Sequence, residues 1–244
     1  MSARAVKRFG HIRLITFDIF DTLYKPSVPV SRTYAEPLRK LGIKVDEQNV
    51  ARAFAQAFKQ THTEYPNYGR EFHLTSSDWW TLVIKRTWTN AGVDLAVHPE
   101  LCRAIAPLIE HFGSGRGYVL FPEVPKVLKH IRRKGVKMGV ISNMDESGET
   151  VLRHLGIREY FDFVMKSVTT GIEKPDARAF AMALAAVSVP AYDALHIGDS
   201  ERCDYLPARR AGMEALLVCR DRVPDSVAYS EDIIPGLNNL IAMI

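Results

Sequence analysis

From residue 113 onward, short apolar runs alternate with helix-patterned segments, and that alternation restricts the chain to a small set of folds. Lys137-Met138-Gly139-Val140-Ile141-Ser142, Phe161-Asp162-Phe163-Val164-Met165, Leu195-His196-Ile197-Gly198 and Ala215-Leu216-Leu217-Val218 read as buried strands. Segments 124–134, 148–155, 177–187 and 205–211 read as the helices between them. Such alternation argues for right-handed βαβ units on a parallel sheet. An isolated earlier run, Arg13-Leu14-Ile15-Thr16-Phe17, supplies one more strand. Between it and residue 113 the periodicity is helical. Ser31 is expected to cap a first helix that ends near Gly42, and Asp46 a second, with Val50, Phe54, Ala57 and Phe58 on one face. Thr75-Ser76-Ser77-Asp78 has the spacing of a capping box ahead of Trp79, Leu82, Val83 and Arg86. A fourth helix is expected over 98–111, and the glycine-rich stretch 113–117 reads as a flexible return. The organisation expected is therefore a core of residues 1–24 and 113–244, with a helical cap of residues 25–112 inserted after the first strand.

The placement of acids says more about chemistry. The run 13–17 ends on Asp18, followed by Ile19-Phe20-Asp21-Thr22. Late in the chain, Ala194-Leu195-His196-Ile197 ends on Gly198-Asp199-Ser200, with Asp204 close behind. An ionised carboxylate at the end of a buried strand is costly unless the strand opens into a polar crevice. Open α/β sheets have that crevice at the carboxyl ends of their strands. Two acidic strand ends far apart in sequence therefore imply a hard-cation site assembled by folding. Any one of these aspartates alone would be read as a turn or helix cap.

The remaining composition excludes several classes. No stretch approaches the ~20 apolar residues of a membrane span, and no membrane role is expected. Three scattered cysteines, Cys102, Cys203 and Cys219, have no zinc-ligand spacing and fit a reducing compartment. The formal charge of +4 is mild, and basic groups such as Arg132-Arg133-Lys134 read as solvated helix faces, so no nucleic-acid partner is expected. The location expected is cytoplasmic, with a nuclear one as an alternative, and Arg4, Lys7 and Arg8, with no acid before Asp18, leave a mitochondrial leader as another.

Four segments in order carry a resemblance: Asp18-Ile19-Phe20-Asp21-Thr22-Leu23, Val140-Ile141-Ser142-Asn143, Glu173-Lys174-Pro175-Asp176, and His196-Ile197-Gly198-Asp199-Ser200 with Asp204. Their order, their spacing and the place of the insertion resemble the haloacid dehalogenase-like hydrolase superfamily. That resemblance implies an α/β fold with a doubly wound, parallel, Rossmann-like core. It implies Asp18 as nucleophile, and Mg²⁺ held by Asp18, the backbone carbonyl of Phe20 and Asp199, with Asp204 in support. Lys174 is implied as a second catalytic group that also binds substrate alongside Ser142 and Asn143. The substrate implied is a small phosphorylated compound of unknown identity, and no protein partner is indicated. The chemistry agrees: a carboxylate attacking phosphorus splits a difficult hydrolysis into two easier steps. Hydroxyl, amide and ammonium donors then stabilise the transferring group.

One departure matters. Phosphatases of this superfamily carry a second Asp two residues after the nucleophile, to protonate the leaving group, and here that position is Phe20. Asp21 is expected to stabilise the turn rather than replace the missing acid. Three readings follow: a slow Mg²⁺-dependent hydrolase, a catalytically weak or inactive member that binds phosphate or protein, and a dehalogenase. The dehalogenases also lack the second acid, but they lack the metal-binding acid too, and this chain keeps Asp199. His196 is expected to pack in the sheet rather than bind a ligand. Trp79 and Trp80 are expected to pack as well, and Tyr65 to Gly69 to form a loop that closes over the crevice.

Overall fold

The computed structural model describes residues 8–220 and 230–244, so Arg4 and Lys7 of the basic start lie outside the described residues. β1 (Leu14–Phe17) is four residues long and buried on both faces, as a central parallel strand must be. β2 (Tyr24–Pro26) and β3 (Tyr118–Leu120) pair as a two-stranded ribbon. The sheet continues with β4 (Lys137–Ser142), β5 (Phe163–Lys166), β6 (Ala194–Gly198), β7 (Glu214–Val218) and β8 (Ile233–Ile234). Its order is β5-β4-β1-β6-β7-β8, and each pair of neighbouring strands runs parallel. The chain first builds outward from β1 through β4 to β5, then returns to the other side of β1 with β6. The order thus reverses at β1, which is where open α/β sheets keep their ligand crevice. This is the expected α/β, Rossmann-like arrangement.

The chain divides into two compact units. One holds the residues up to Lys25, Leu120–Asn143 and the residues from Gly156 on; the other holds Pro26–Val119 and Met144–Leu155. The division differs from the boundaries read off the sequence by one residue at Lys25 and in two longer stretches, since 113–119 and 144–155 group with the helices. Side chains explain the second of these stretches. Asp145 accepts a hydrogen bond from Trp80 Nε1 at 2.7 Å, and Glu146 accepts one from Ser76.

Within the helical unit, Asp46 caps the helix Glu47–Glu64 by accepting from the amides of Gln48 and Asn49. The Thr75–Asp78 capping box starts the helix Ser76–Asn90. Ser31 does not cap the first helix: it begins at Val30, follows Pro29 and has no side-chain cap. The expected helix over 98–111 is instead a 3₁₀ segment, Pro99–Ala104, running into the α-helix Ile105–Gly113. Pro107 falls in the first turn of that α-helix, where a missing amide hydrogen costs nothing. In the core unit, the segment 205–211 is a short helix Leu206–Arg210 preceded by a π-helical turn, Glu201–Tyr205.

Trp79 and Trp88 are fully buried, and both indoles are satisfied by carbonyls: Trp79 by Tyr65 at 2.9 Å, Trp88 by Tyr34 at 3.0 Å. Trp79 also packs edge-on against Phe58 and tilted against Tyr68, so it is a packing residue as expected. Among the described residues, no helix is long and apolar enough to cross a membrane. Trp88→Ala should remove about 3–5 kcal/mol of stability, because it leaves a cavity between packed helices and loses the indole hydrogen bond to the Tyr34 carbonyl. Urea unfolding followed by circular dichroism would measure the loss.

Candidate active site

The register places the functional groups. Phe17 pairs with Val140 of β4 on one side and Ile197 of β6 on the other, so the three strands end side by side. The amide of Asp18 extends the ladder by one bond, donating to the Ile197 carbonyl at 2.9 Å. Asp18 therefore leaves the sheet beside Ser142 and Asp199. Lys174, from the loop after β5, reaches the same point and is almost wholly buried. Its Nζ lies 2.6 Å from Asp18 Oδ1 and 2.5 Å from Asp204 Oδ1. One carboxylate oxygen each from Asp18, Asp199 and Asp204 lies within 4.8 Å of the others.

Such crowding has electrostatic consequences. Burial works against the Lys174 ammonium, yet the two carboxylates beside it hold its pKa above the ordinary lysine range. Burial pushes the Asp18 carboxyl up to about 6, against the attraction of Lys174. Burial opposes ionisation of Asp204 too, but Lys174 and His196 keep it below the usual carboxylate range. Asp199 reaches solvent, yet the protein packed around it and the charges of Asp18 and Asp204 push it up to about 7. Among the described residues Asp199 has no salt-bridge partner, and its carboxylate accepts a long hydrogen bond from Thr22 Oγ1, at 3.4 Å. Three clustered carboxylates with a single lysine between them leave an excess of negative charge on oxygen donors, the donor chemistry of a hard divalent cation.

Local structure explains how Asp204 gets there. It sits in the π-helical turn, a feature often found at functional sites, where its Oδ2 accepts from the Ser200 amide at 3.0 Å. Gly198 makes room for it: a Cβ on residue 198 would come within 2.2 Å of Asp204 Cγ. His196 is fully buried, as expected of a packing residue, and stands edge-on to Phe180. Its Nε2 lies 3.2 Å from Asp204 Oδ1 and its Nδ1 2.8 Å from Thr16 Oγ1. Burial lowers its pKa and keeps the imidazole neutral. With Asp204 ionised, the consistent tautomer donates from Nε2 and accepts from the Thr16 hydroxyl. His196 thus props an acid of the site, a role that sequence reasoning missed. The signal was available: Thr16 and His196 are polar residues in otherwise apolar strands, and they are cross-strand partners.

Ser142 is buried at the end of β4, close enough to Asp18 to favour its ionised form. The Asn143 side chain is turned to another task. Its Nδ2 donates to the Lys174 carbonyl at 2.8 Å, and its Oδ1 accepts from the Lys174 amide at 2.7 Å. That clasp sets the backbone from which the lysine projects. Phe20 is 42% exposed and stands edge-on to Tyr24. Asp21 adopts φ of +54°, and its amide donates to the Tyr24 carbonyl at 2.8 Å. The left-handed region favours Gly, Asn and Asp, which accounts for a turn residue of this kind here.

A family model described as haloacid dehalogenase-like hydrolase matches residues 12–212. The chain belongs to that family. Among its relatives is the mouse haloacid dehalogenase-like hydrolase domain-containing protein 3, 37% identical over 238 residues that cover 94% of this chain and 92% of the relative. Two solved structures share the fold. A defluorinating L-2-haloacid dehalogenase superposes with a TM-score of 0.75 at 17% identity, covering 95% of this chain and 94% of its own. A phosphatase of the family from Thermococcus onnurineus gives 0.63 at 21% identity, covering 94% and 96%.

Gly198→Ala should destabilise the protein by about 1–3 kcal/mol, since the new methyl group can be accommodated only by displacing a buried carboxylate. A thermal melt compared with that of Gly42→Ala would check it. A methyl group at position 42 would meet nothing within 4 Å, although the positive φ there carries a strain of its own.

Proposed function

We propose that this chain is a Mg²⁺-dependent phosphatase-like hydrolase that acts on a small phosphorylated compound through an aspartyl-phosphate on Asp18. The observation that carries the proposal is the convergence of Asp18, Asp199 and Asp204 around Lys174 at the point where the strand order reverses. The donor set fits the ion: Asp18, the Phe20 carbonyl and Asp199 would hold Mg²⁺, with Asp204 in support, and its charge would neutralise the phosphoryl oxygens. Asp18 attacks phosphorus while the alcohol leaves, and water then cleaves the acyl phosphate, restoring the carboxylate and releasing phosphate. Lys174 holds Asp18 Oδ1 and offsets the charge of the transferring group, and the Ser142 hydroxyl donates to it. Because the Asn143 side chain is engaged with Lys174, the contribution assigned to Asn143 is its backbone amide.

Asp199 distinguishes this reading from carbon–halogen hydrolysis, which has no need of a cation at the nucleophile. Phosphate release from a metabolite panel should require Mg²⁺ and vanish in Asp18→Asn. Release that persists without the ion or without Asp18 would overturn the proposal. Asp199→Asn should weaken Mg²⁺ binding in calorimetry, since an oxygen site loses formal charge.

The second reading, a member that binds phosphate or protein with little turnover, rests on Phe20. Its ring cannot protonate a departing alkoxide, so alkyl phosphates should react far more slowly than nitrophenyl phosphate. Phe20→Asp should raise kcat for alkyl phosphates, by at most the ~10²–10⁴ of general acid catalysis. The comparison requires equal folding and Mg²⁺ affinity in both proteins. Efficient hydrolysis of alkyl phosphates by the wild type would show that another group supplies the proton.

A further inference from the structure

Arg220 follows β7 and has no place in the chemistry described so far, yet it is tied to the loop that carries the nucleophile. Its Nη2 donates to the Thr22 carbonyl at 2.7 Å, and its Nε makes a longer contact of 3.4 Å with the Asp21 carbonyl. The third nitrogen, Nη1, lies 2.6 Å from Glu123 Oε1, in an ion pair whose side chains are 17% and 11% exposed. The guanidinium also lies over the Phe121 ring, 3.4 Å from its centroid, and the Phe121 amide donates to the Leu23 carbonyl at 3.1 Å. Burial works against ionisation of Glu123, but Arg220 keeps its carboxyl below the usual range, so the pair stays charged. All three guanidinium nitrogens are thus engaged, and its face is covered by an aromatic ring. An arginine held on this many sides keeps little freedom, and the order passes to the carbonyls it binds.

Those carbonyls belong to a turn in need of restraint. Asp21 holds a left-handed conformation that a non-glycine residue adopts at a cost, and such conformations persist when their surroundings over-determine them. The same turn carries the Phe20 carbonyl and Thr22, whose hydroxyl reaches Asp199. We infer that Arg220, braced by Glu123 and Phe121, is a positioning residue that clamps the turn after Asp18 and thereby fixes the oxygen ligands around the nucleophile. The inference extends the metal-site reading given above, with Arg220 acting only through the turn.

The test uses the full chain as wild type, R220K, R220M and E123Q. Hydrogen–deuterium exchange is followed over residues 18–24 and over β4, and Mg²⁺ binding is measured by calorimetry. In R220M, exchange over 18–24 should speed up while β4 stays protected, and Mg²⁺ affinity should fall about 10–100-fold, as when a residue supporting a metal ligand is lost. R220K keeps the charge but not the planar fork, and should fall between R220M and wild type. E123Q leaves the turn contacts in place and should shift both readouts in the same direction by less. If R220M loses protection throughout, E123Q decides. Wild-type exchange over 18–24 would overturn the clamp, as would faster exchange with Mg²⁺ affinity intact, since Arg220 would then be only a tether. If the wild type takes up no Mg²⁺, the metal-site reading fails by itself, and the exchange comparison alone decides the clamp.

Discussion

A single ammonium group decides what the centre of this protein can be. Lys174 Nζ lies within hydrogen-bonding distance of two buried carboxylates that come from opposite ends of the sequence. Without it, Asp18 and Asp204 would be like charges in a medium that screens poorly, and at least one would have to take up a proton. A buried ion pair contributes little net stability, because desolvation cancels most of the attraction. What it contributes here is placement. The ammonium can serve both acids only where the strand carrying Asp18 and the turn carrying Asp204 lie together. That arrangement also keeps Asp204 ionised and supported by His196, while Asp199 is left with charge that no cationic side chain among the described residues compensates.

Much of this was legible because the acids sit at strand ends. The runs before Asp18 and Asp199 are short and apolar, and Val140-Ile141-Ser142 ends the same way, so a parallel sheet brings all three to one edge whatever the details of its loops. Helix starts were legible where a side chain performs the capping, as at Asp46 and Thr75. They were misread where the backbone governs. Ser31 has the right chemistry for a cap, but Pro29 fixes the entry to the helix two residues earlier, and Pro107 marks a helix start that periodicity alone does not reveal. The grouping of 144–155 with the helices depends on bonds such as that between Trp80 and Asp145, which join residues 65 positions apart and leave no local pattern.

The supporting groups were harder to see for a related reason. His196 and Thr16 meet across a strand pair 180 positions apart in the chain, so their contact exists only once the register is known. Arg220 and Glu123 are individually ordinary surface-type residues, and their shared hold on the turn after Asp18 follows from the packing of separate loops. Residues that react with a ligand have characteristic types and spacings. Those that aim them can be of almost any type, provided the fold delivers them to the right place.

The Asn143 clasp has a bearing on how this scaffold tolerates change. The carboxamide copies a peptide unit, with its donor facing the Lys174 carbonyl and its acceptor facing the amide, as a neighbouring strand would. An aspartate there has the same shape but no donor, and would set two oxygens against each other; a glutamine would overshoot by a methylene. Sequence drift at exposed positions of the two loops joined by this pairing can therefore be absorbed as long as the pairing survives. The two loops are free to diversify in length and composition while the lysine keeps its bearing.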